Sequence, residues 1–171
     1  MAVGGVSAVF LERDGMLIPD SGFPHREDQL VILPGAAEAV RRLNKAGYLV
    51  FATTNQPAVG RGVFTEAQME AFNQLLIRRL AVRGALLTAV YACPFSPDAA
   101  LAAYNHPDHP DRKPNPGMLL RAMADHRVDP ARAFLIGLGE ADLEAARRAG
   151  IPGFRFDGVD LDAYVHELLG G

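Results

Sequence analysis

The sequence of 171 residues contains a single cysteine and no tryptophan. One cysteine excludes an intramolecular disulfide framework. No uninterrupted apolar run approaches the roughly 20 residues of a membrane-spanning helix, and no basic stretch precedes a signal-type apolar core. An excess of basic residues is also absent, because 17 lysines and arginines stand against 20 aspartates and glutamates. We therefore expect a cytoplasmic protein that binds neither nucleic acid nor a membrane surface.

The composition that remains is that of an ordinary globular protein, with 49% hydrophobic and 22% charged residues. Strand-like and helix-like segments alternate along the chain. Strands are predicted at residues 6–11, 48–53, 86–91, 133–137 and 154–156. Helices are predicted after Pro34-Gly35, after a capping box at Thr65 and Gln68, and over residues 116–126, 141–149 and 161–169. This alternation predicts a single α/β domain over residues 1–171, with a doubly wound, mainly parallel, Rossmann-like sheet in three layers.

Two carboxylates, Glu12 and Asp14, follow the first predicted strand, and Gly15 comes directly after them. Alternate residues of a strand point the same way, so both carboxylates should lie side by side at the carboxyl end of the strand. Open α/β sheets place their ligands at that end. One carboxylate could attack an electrophile while the other moves a proton. An Asp-Gly pair alone, however, is more often a solvated turn.

Three further polar segments strengthen the interpretation of a site, because each follows a predicted strand or begins a helix. They are residues 52–57 with Arg61, residues 111–118, and residues 134–142. In this order the four segments resemble the signature of the haloacid dehalogenase (HAD) phosphatases. Within that family they most resemble the heptose 1,7-bisphosphate and histidinol-phosphate phosphatase group. The resemblance extends from about residue 6 to residue 150, and the run 111–118 is its most specific part.

The resemblance implies a role for each motif residue of the first and third segments. Glu12 stands where the family has its nucleophilic aspartate, which also binds Mg²⁺. Asp14 would act as general acid and base and would offer its backbone carbonyl to the metal. Lys113 would neutralise the phosphoryl oxygens and bridge to the nucleophile. Arg112 would contact the substrate.

In the second segment, the resemblance implies that Thr54 and Asn55 hold the transferring phosphoryl group. Gln56, the last residue of the Thr-Asn-Gln run, would be a further residue of the phosphate site. Arg61 would help to shape the substrate pocket. Only about 20 residues separate Asp14 from the next helix, which leaves no room for a large cap domain. The proline-rich segment 94–116 is then the one obvious candidate for a wall that closes the site.

Two positions depart from the family pattern at the reacting centre. Glu12 is one methylene longer than the aspartate it replaces, and Leu138 stands where the family has a direct Mg²⁺ ligand. The resemblance therefore leaves Glu12, Asp14 and Asp142 as a weakened Mg²⁺ site. An alternative is that Glu140, two residues beyond Leu138, moves in as a substitute ligand.

A third departure lies in the loop that binds zinc in relatives of the heptose group. The corresponding positions are Cys93, Phe95, His109 and Asp111. Structural zinc sites need four nitrogen or sulfur ligands, and a phenyl ring cannot be one. We therefore expect a metal-free loop, with the alternative that His106 replaces a missing ligand.

Three hypotheses follow for function. The first is a HAD-like pseudophosphatase that binds a small phosphorylated metabolite, or regulates a protein partner, with little or no turnover. The second is an active Mg²⁺-dependent phosphomonoesterase that uses Glu12 as a nonstandard nucleophile. The third is an interaction protein with a vestigial pocket. Binding of phosphorylated ligands separates the third from the others, and turnover separates the second from the first.

Overall fold

The computed structural model describes residues 4–171 and contains one five-stranded parallel sheet. Its strands, in spatial order β3-β2-β1-β4-β5, are β1 (Val6–Glu12), β2 (Leu49–Asn55), β3 (Ala89–Cys93), β4 (Val128–Gly137) and β5 (Gly153–Arg155). Its helices are α1 (Ala36–Lys45), α2 (Glu66–Val82), α3 (Gly117–His126), α4 (Glu140–Ala149) and α5 (Leu161–Leu168). The α/β fold predicted from the sequence is confirmed.

Alternation along β1 explains the three layers. Val9 and Leu11 lie in the hydrophobic core that the sheet shares with α1, α2 and α5. Ala8 and Phe10 face the opposite core, which α3 and α4 cover. A strand whose two faces are both buried needs an almost continuous apolar run, as the sequence of β1 provides.

The chain reverses its direction of winding at β1, which lies between β2 and β4. The connection from β1 leads to β2 on one side, whereas β4 joins β1 on the other side. Such a switch point opens a crevice at the carboxyl ends of the strands. Glu12 lies at this edge, in register with Thr53 of β2.

Two strands begin three or more residues away from the predicted position. The third strand begins at Ala89, three residues later than expected, because the Asn44 side chain binds both the N–H and the carbonyl of Leu86 and holds that segment outside the ladder. The fourth strand begins at Val128, which pairs with Val6 before an irregularity in register. Between Asp14 and α1 the only helical element is a 3₁₀ turn, Glu27–Gln29. No helix among residues 4–171 is both long and apolar enough to span a membrane.

Candidate active site

A cleft of about 300 Å³ opens at the carboxyl edge of the sheet. The side chains that line it come from the ends of β1 and β2, the loop before α3 and the start of α4. They include Glu12, Asp14, Thr54, Asn55, Lys113, Leu138 and Asp142, with Asp20 and Phe23 from the loop after β1. The four sequence segments are therefore brought together in one place.

Lys113 is the centre of the cleft, and its side chain is 4% exposed. Its ammonium group donates to a carboxylate oxygen of Glu12, to Oδ1 of Asp142 at 2.6 Å and to the carbonyl of Thr53 at 3.3 Å. All three N–H groups of the ammonium therefore have acceptors within the protein. The lysine joins the end of β1 to the start of α4.

The electrostatics of this triad follow from burial and mutual proximity. Burial raises the pKa of Glu12 to about 7, against the opposing charge of Lys113 and with added repulsion from Asp142. Burial alone would lower the pKa of Lys113, but the two carboxylates outweigh it and raise that pKa. Burial likewise opposes ionisation of Asp142, but Lys113 and the Leu138 N–H hold its pKa below the usual range. The stable pair is thus Lys113 with Asp142, and Glu12 changes charge near neutrality.

Asp142 has no free oxygen. Its Oδ2 accepts from the backbone N–H groups of Leu138 and Gly139 at 3.0 and 3.2 Å, which are donors at the start of α4, while Oδ1 accepts from Lys113. A Cβ at Gly137 would lie 2.4 Å from the Cβ of Asp142, so this close approach requires glycine. The aspartate is fixed by the strand end and the helix start together.

Asp14 is held in a clamp that was not predicted. The buried Arg13 binds both of its oxygens, Nε to Oδ1 at 2.8 Å and Nη2 to Oδ2 at 3.1 Å, and Gln56 adds a bond to Oδ2 at 2.9 Å. Arg13 in turn donates to Asn73 at 2.7 Å and lies over the ring of Phe72. The signal available in the sequence was the arginine that stands between the two carboxylates.

The two residues expected to hold the phosphoryl group have different surroundings. Asn55 exchanges two hydrogen bonds of 3.0 Å with the backbone N–H and carbonyl of Lys113, so its side chain positions the lysine. The Thr54 hydroxyl accepts from Gln56 at 2.8 Å, and its own proton has only a long contact of 3.5 Å with the carbonyl of Asn55. Thr54 therefore retains a proton that it can donate to an anion in the cleft.

The two arginines expected to contact substrate do not line the cleft. Arg61 pairs with the exposed Asp98 at 3.1 Å and lies over the ring of Phe23, which does line it. Arg112 lies beside Lys113 in the chain, and its buried Nη1 has no partner among residues 4–171. Among the described residues, Arg61 is thus connected to the cleft only through Phe23.

The carboxylates present do not fit a fully coordinated Mg²⁺. Glu12 and Asp142 both bind Lys113, and Asp14 offers only its backbone carbonyl, which accepts no hydrogen bond within residues 4–171. Leu138 packs over Gly15, where an added Cβ would lie 2.9 Å from Cδ1 of the leucine. Mg²⁺ requires close to octahedral oxygen coordination. The carboxylates of the three expected ligands, Glu12, Asp14 and Asp142, are all engaged by donors of the protein, so none of them is free for such a shell.

The substitute ligand considered from the sequence lies elsewhere. The Glu140 side chain is 83% exposed and pairs with Arg155 at 2.8 Å. It is outside the set of residues that line the cleft. Among the residues that the structure describes, no three histidine, cysteine, aspartate or glutamate side chains are grouped closely enough to hold a metal ion.

Two of the four positions of the degenerate zinc loop, Cys93 and His109, lie close together. The Cys93 sulfur lies 3.9 Å from Nδ1 of His109, and burial raises the pKa of the Cys93 thiol. The Asp111 carboxylate turns away to an ion pair with Arg121, and only its backbone N–H reaches His109.

Comparisons with known proteins agree with this fold. The family model of haloacid dehalogenase-like hydrolases matches residues 20–150. A D-glycero-beta-D-manno-heptose-1,7-bisphosphate 7-phosphatase from Rhodopseudomonas palustris is 42% identical over 95% of this chain and 89% of its own. The corresponding protein from Escherichia coli is 36% identical over 85% and 76%. The crystal structure of D,D-heptose 1,7-bisphosphate phosphatase from B. bronchiseptica, with magnesium and phosphate, superposes with a TM-score of 0.79. That pair is 30% identical, over 96% of this chain and 98% of the other.

Proposed function

Because this chain belongs to the haloacid dehalogenase-like hydrolase family and is similar to heptose bisphosphate phosphatases, we propose that it binds a phosphorylated sugar or similar small metabolite in the cleft. We further propose that phosphoryl transfer in the cleft is impaired. We also propose that the cleft binds Mg²⁺ only weakly.

One observation supports the impairment: Glu12 and Leu138, the two positions that differ from the family pattern, both line the cleft that contains Lys113, and both lack what the chemistry needs. The extra methylene of Glu12 moves its carboxylate by roughly 1 Å, and a misplacement of that size costs about a hundredfold in rate. Leu138 places an apolar group over Gly15 where a metal ligand would stand. Phosphoryl transfer depends on positioning and on neutralisation of charge, so both losses act on the same step.

Two groups that could bind a phosphoryl group, the Lys113 ammonium and the Thr54 hydroxyl, belong to residues that line the cleft. Lys113 is a buried cation whose partner Glu12 has a pKa of about 7, so at neutral pH an anion competes with a carboxyl group that is partly uncharged. Thr54 has a hydroxyl proton to donate. These two donors support binding of a phosphorylated ligand without any requirement for turnover.

The alternative of an active phosphomonoesterase needs an ionised Glu12 aligned with the leaving oxygen and a metal beside it. A second ligand class, a protein partner, would use the surface around the cleft. No contact among the described residues specifically favours either of these functions. We therefore retain binding of a small phosphorylated metabolite as the proposal.

Calorimetric titration with orthophosphate and with heptose 1,7-bisphosphate, with and without MgCl₂, tests the proposal. We expect saturable binding that Thr54→Val weakens about five- to tenfold, the value of one hydrogen bond. Thr53→Val is the matched control, because Thr53 is its neighbour on β2 and does not line the cleft. Absence of binding by the unmodified chain would favour the hypothesis of an interaction protein with a vestigial pocket.

A further inference from the structure

A cluster of four aromatic rings lies in the segment between β3 and α3, and we refer to it as the ring cluster: Phe95, Tyr104, His106 and His109. The rings of Phe95 and His109 stack face to face, with centroids 4.1 Å apart and planes within 1°. Tyr104 packs on Phe95 at 5.7 Å, and His106 meets His109 edge-on at 5.1 Å. The centre of this segment is therefore a stacked pair with further rings around it.

Cys93 and His109 are separated almost as two ligands of one zinc ion would be. Zn–S and Zn–N bonds of about 2.3 and 2.0 Å at a tetrahedral angle separate the two donor atoms by about 3.6 Å. The observed separation between the Cys93 sulfur and Nδ1 of His109 is 3.9 Å. Two of the four donor atoms of a tetrahedral zinc site, the Cys93 sulfur and Nδ1 of His109, are therefore close to the separation that zinc requires.

The other half of the set is engaged in different interactions. Phe95 contributes a ring stacked on His109, which cannot ligate a metal. The Asp111 carboxylate is bound by Arg121, and the Asp111 N–H donates at 3.1 Å to the same Nδ1 of His109 that faces Cys93. The residues present therefore do not fit the zinc ion that the family resemblance implies.

The ring cluster supports the segment that delivers Lys113. His109 precedes Lys113 by four residues, and its carbonyl accepts from the backbone N–H of Arg112 at 3.0 Å and from Asn115 Nδ2 at 3.0 Å. The His109 carbonyl thus binds residues on both sides of Lys113. Contacts that fix His109 therefore also fix the segment that carries Lys113 into the cleft.

We infer that the Phe95–His109 stack and the Arg121–Asp111 ion pair occupy the position of a structural metal. Like such a metal, they would hold the Lys113 segment in place. Two substitutions, Phe95→His and Asp111→Cys, then supply the missing ligands around Cys93 and His109 and create a tetrahedral zinc site. This inference does not depend on the proposed function.

The test is a titration of the full-length double variant with Co²⁺, a spectroscopic substitute for zinc. We expect a tetrahedral cobalt spectrum with a thiolate charge-transfer band, displacement of cobalt by zinc, and a zinc-dependent increase in the melting temperature. The matched control is Phe95→Leu with Asp111→Cys, which has one ligand fewer and should give neither the full spectrum nor the stabilisation. A double variant that binds no cobalt, or that stays unfolded with zinc present, contradicts the placement.

The unmodified chain supplies the second half of the test. Its melting temperature should be the same with and without EDTA, and Phe95→Leu should lower it by on the order of 2 to 4 °C, because the stack on His109 is lost. A thiolate–cobalt band in the unmodified chain, or a lower melting temperature in EDTA, would overturn the inference.

Discussion

The two regions on either side of Lys113 accommodate changed residues in different ways. At the edge of the sheet, Glu12 keeps the carboxyl group of an aspartate and still binds Lys113. In the ring cluster, Phe95 cannot do what a ligand does, and an aromatic stack forms on His109. At position 12 the carboxyl group is conserved, so the contact with Lys113 is preserved although its geometry shifts. At position 95 the metal-ligating group is lost, and an aromatic stack takes its place.

The two regions also differ in how much of their charge is buried. The Lys113 side chain is 4% exposed, whereas the Arg121 side chain, which binds Asp111 at the loop, is 45% exposed. Removing one partner of a buried ion pair leaves an uncompensated buried charge, whereas water solvates the charge that remains when an exposed pair is broken. Stability should therefore depend strongly on the sheet edge and weakly on the loop.

The largest effect is expected from Lys113→Met. It leaves Glu12 and Asp142 facing one another without a cation, and we expect a loss of about 3 to 5 kcal/mol in the free energy of unfolding. Urea denaturation followed by circular dichroism measures this loss. Lys45→Met, at an exposed lysine in the last turn of α1, should change stability by less than about 0.5 kcal/mol. A loss below about 1 kcal/mol for Lys113→Met would show that the buried triad is not what holds the sheet edge.

An intermediate effect is expected from the pH dependence of Glu12. Its pKa in the folded chain, about 7, is above the ordinary 4.5, so between these values the folded state binds more protons than the unfolded state. Stability should therefore fall as pH rises from 4.5 through 7, by about 1 to 3 kcal/mol in total.

Denaturant unfolding across this pH range in EDTA, with Glu12→Gln beside the unmodified chain, isolates the contribution of the carboxyl group. The glutamine variant should lack this part of the slope. Equal slopes for the two chains would mean that Glu12 is ionised throughout the range.

The smallest effect is expected at the loop, from Arg121→Met. It removes the pair with Asp111 and the stacking of Arg121 on Tyr91, for a loss of about 0.2 to 1 kcal/mol. A double-mutant cycle with Asp111→Asn measures the coupling between the two side chains. Coupling well above about 1 kcal/mol would place this pair in the same class as the Lys113 triad and remove the contrast between the regions.

The sequence predicted the fold well because the signals in β1 and at the helix starts are local. An apolar run such as that of β1, and a capping box such as Thr65 with Gln68, do not depend on distant contacts. The grouping of Glu12, Thr54 and Lys113 in one cleft followed from the places of Glu12 and Thr54 at strand ends and of Lys113 before a helix start. The start of β3 was misplaced because it depends on Asn44, a residue 45 positions earlier than Ala89.

The details of the site were harder to predict, because the sequence does not show which side chains bind one another. Asn55 was expected to hold the phosphoryl group, and its amide instead binds the backbone of Lys113. The Arg13–Asn73 clamp on Asp14 needs α2 to pack beside β1 and depends on a contact over 60 residues. Such pairings are decided by packing, which the pattern of residue types does not specify.

The most direct test of the account compares Mg²⁺-dependent phosphate release by the unmodified chain with that by the double variant Glu12→Asp, Leu138→Asp, on heptose 1,7-bisphosphate and histidinol phosphate. We expect the double variant to release phosphate at least about a hundredfold faster, because the carboxylate moves back and a metal ligand is added. Equal rates for the two chains at high turnover would contradict it, because Glu12 would then support the chemistry without either change.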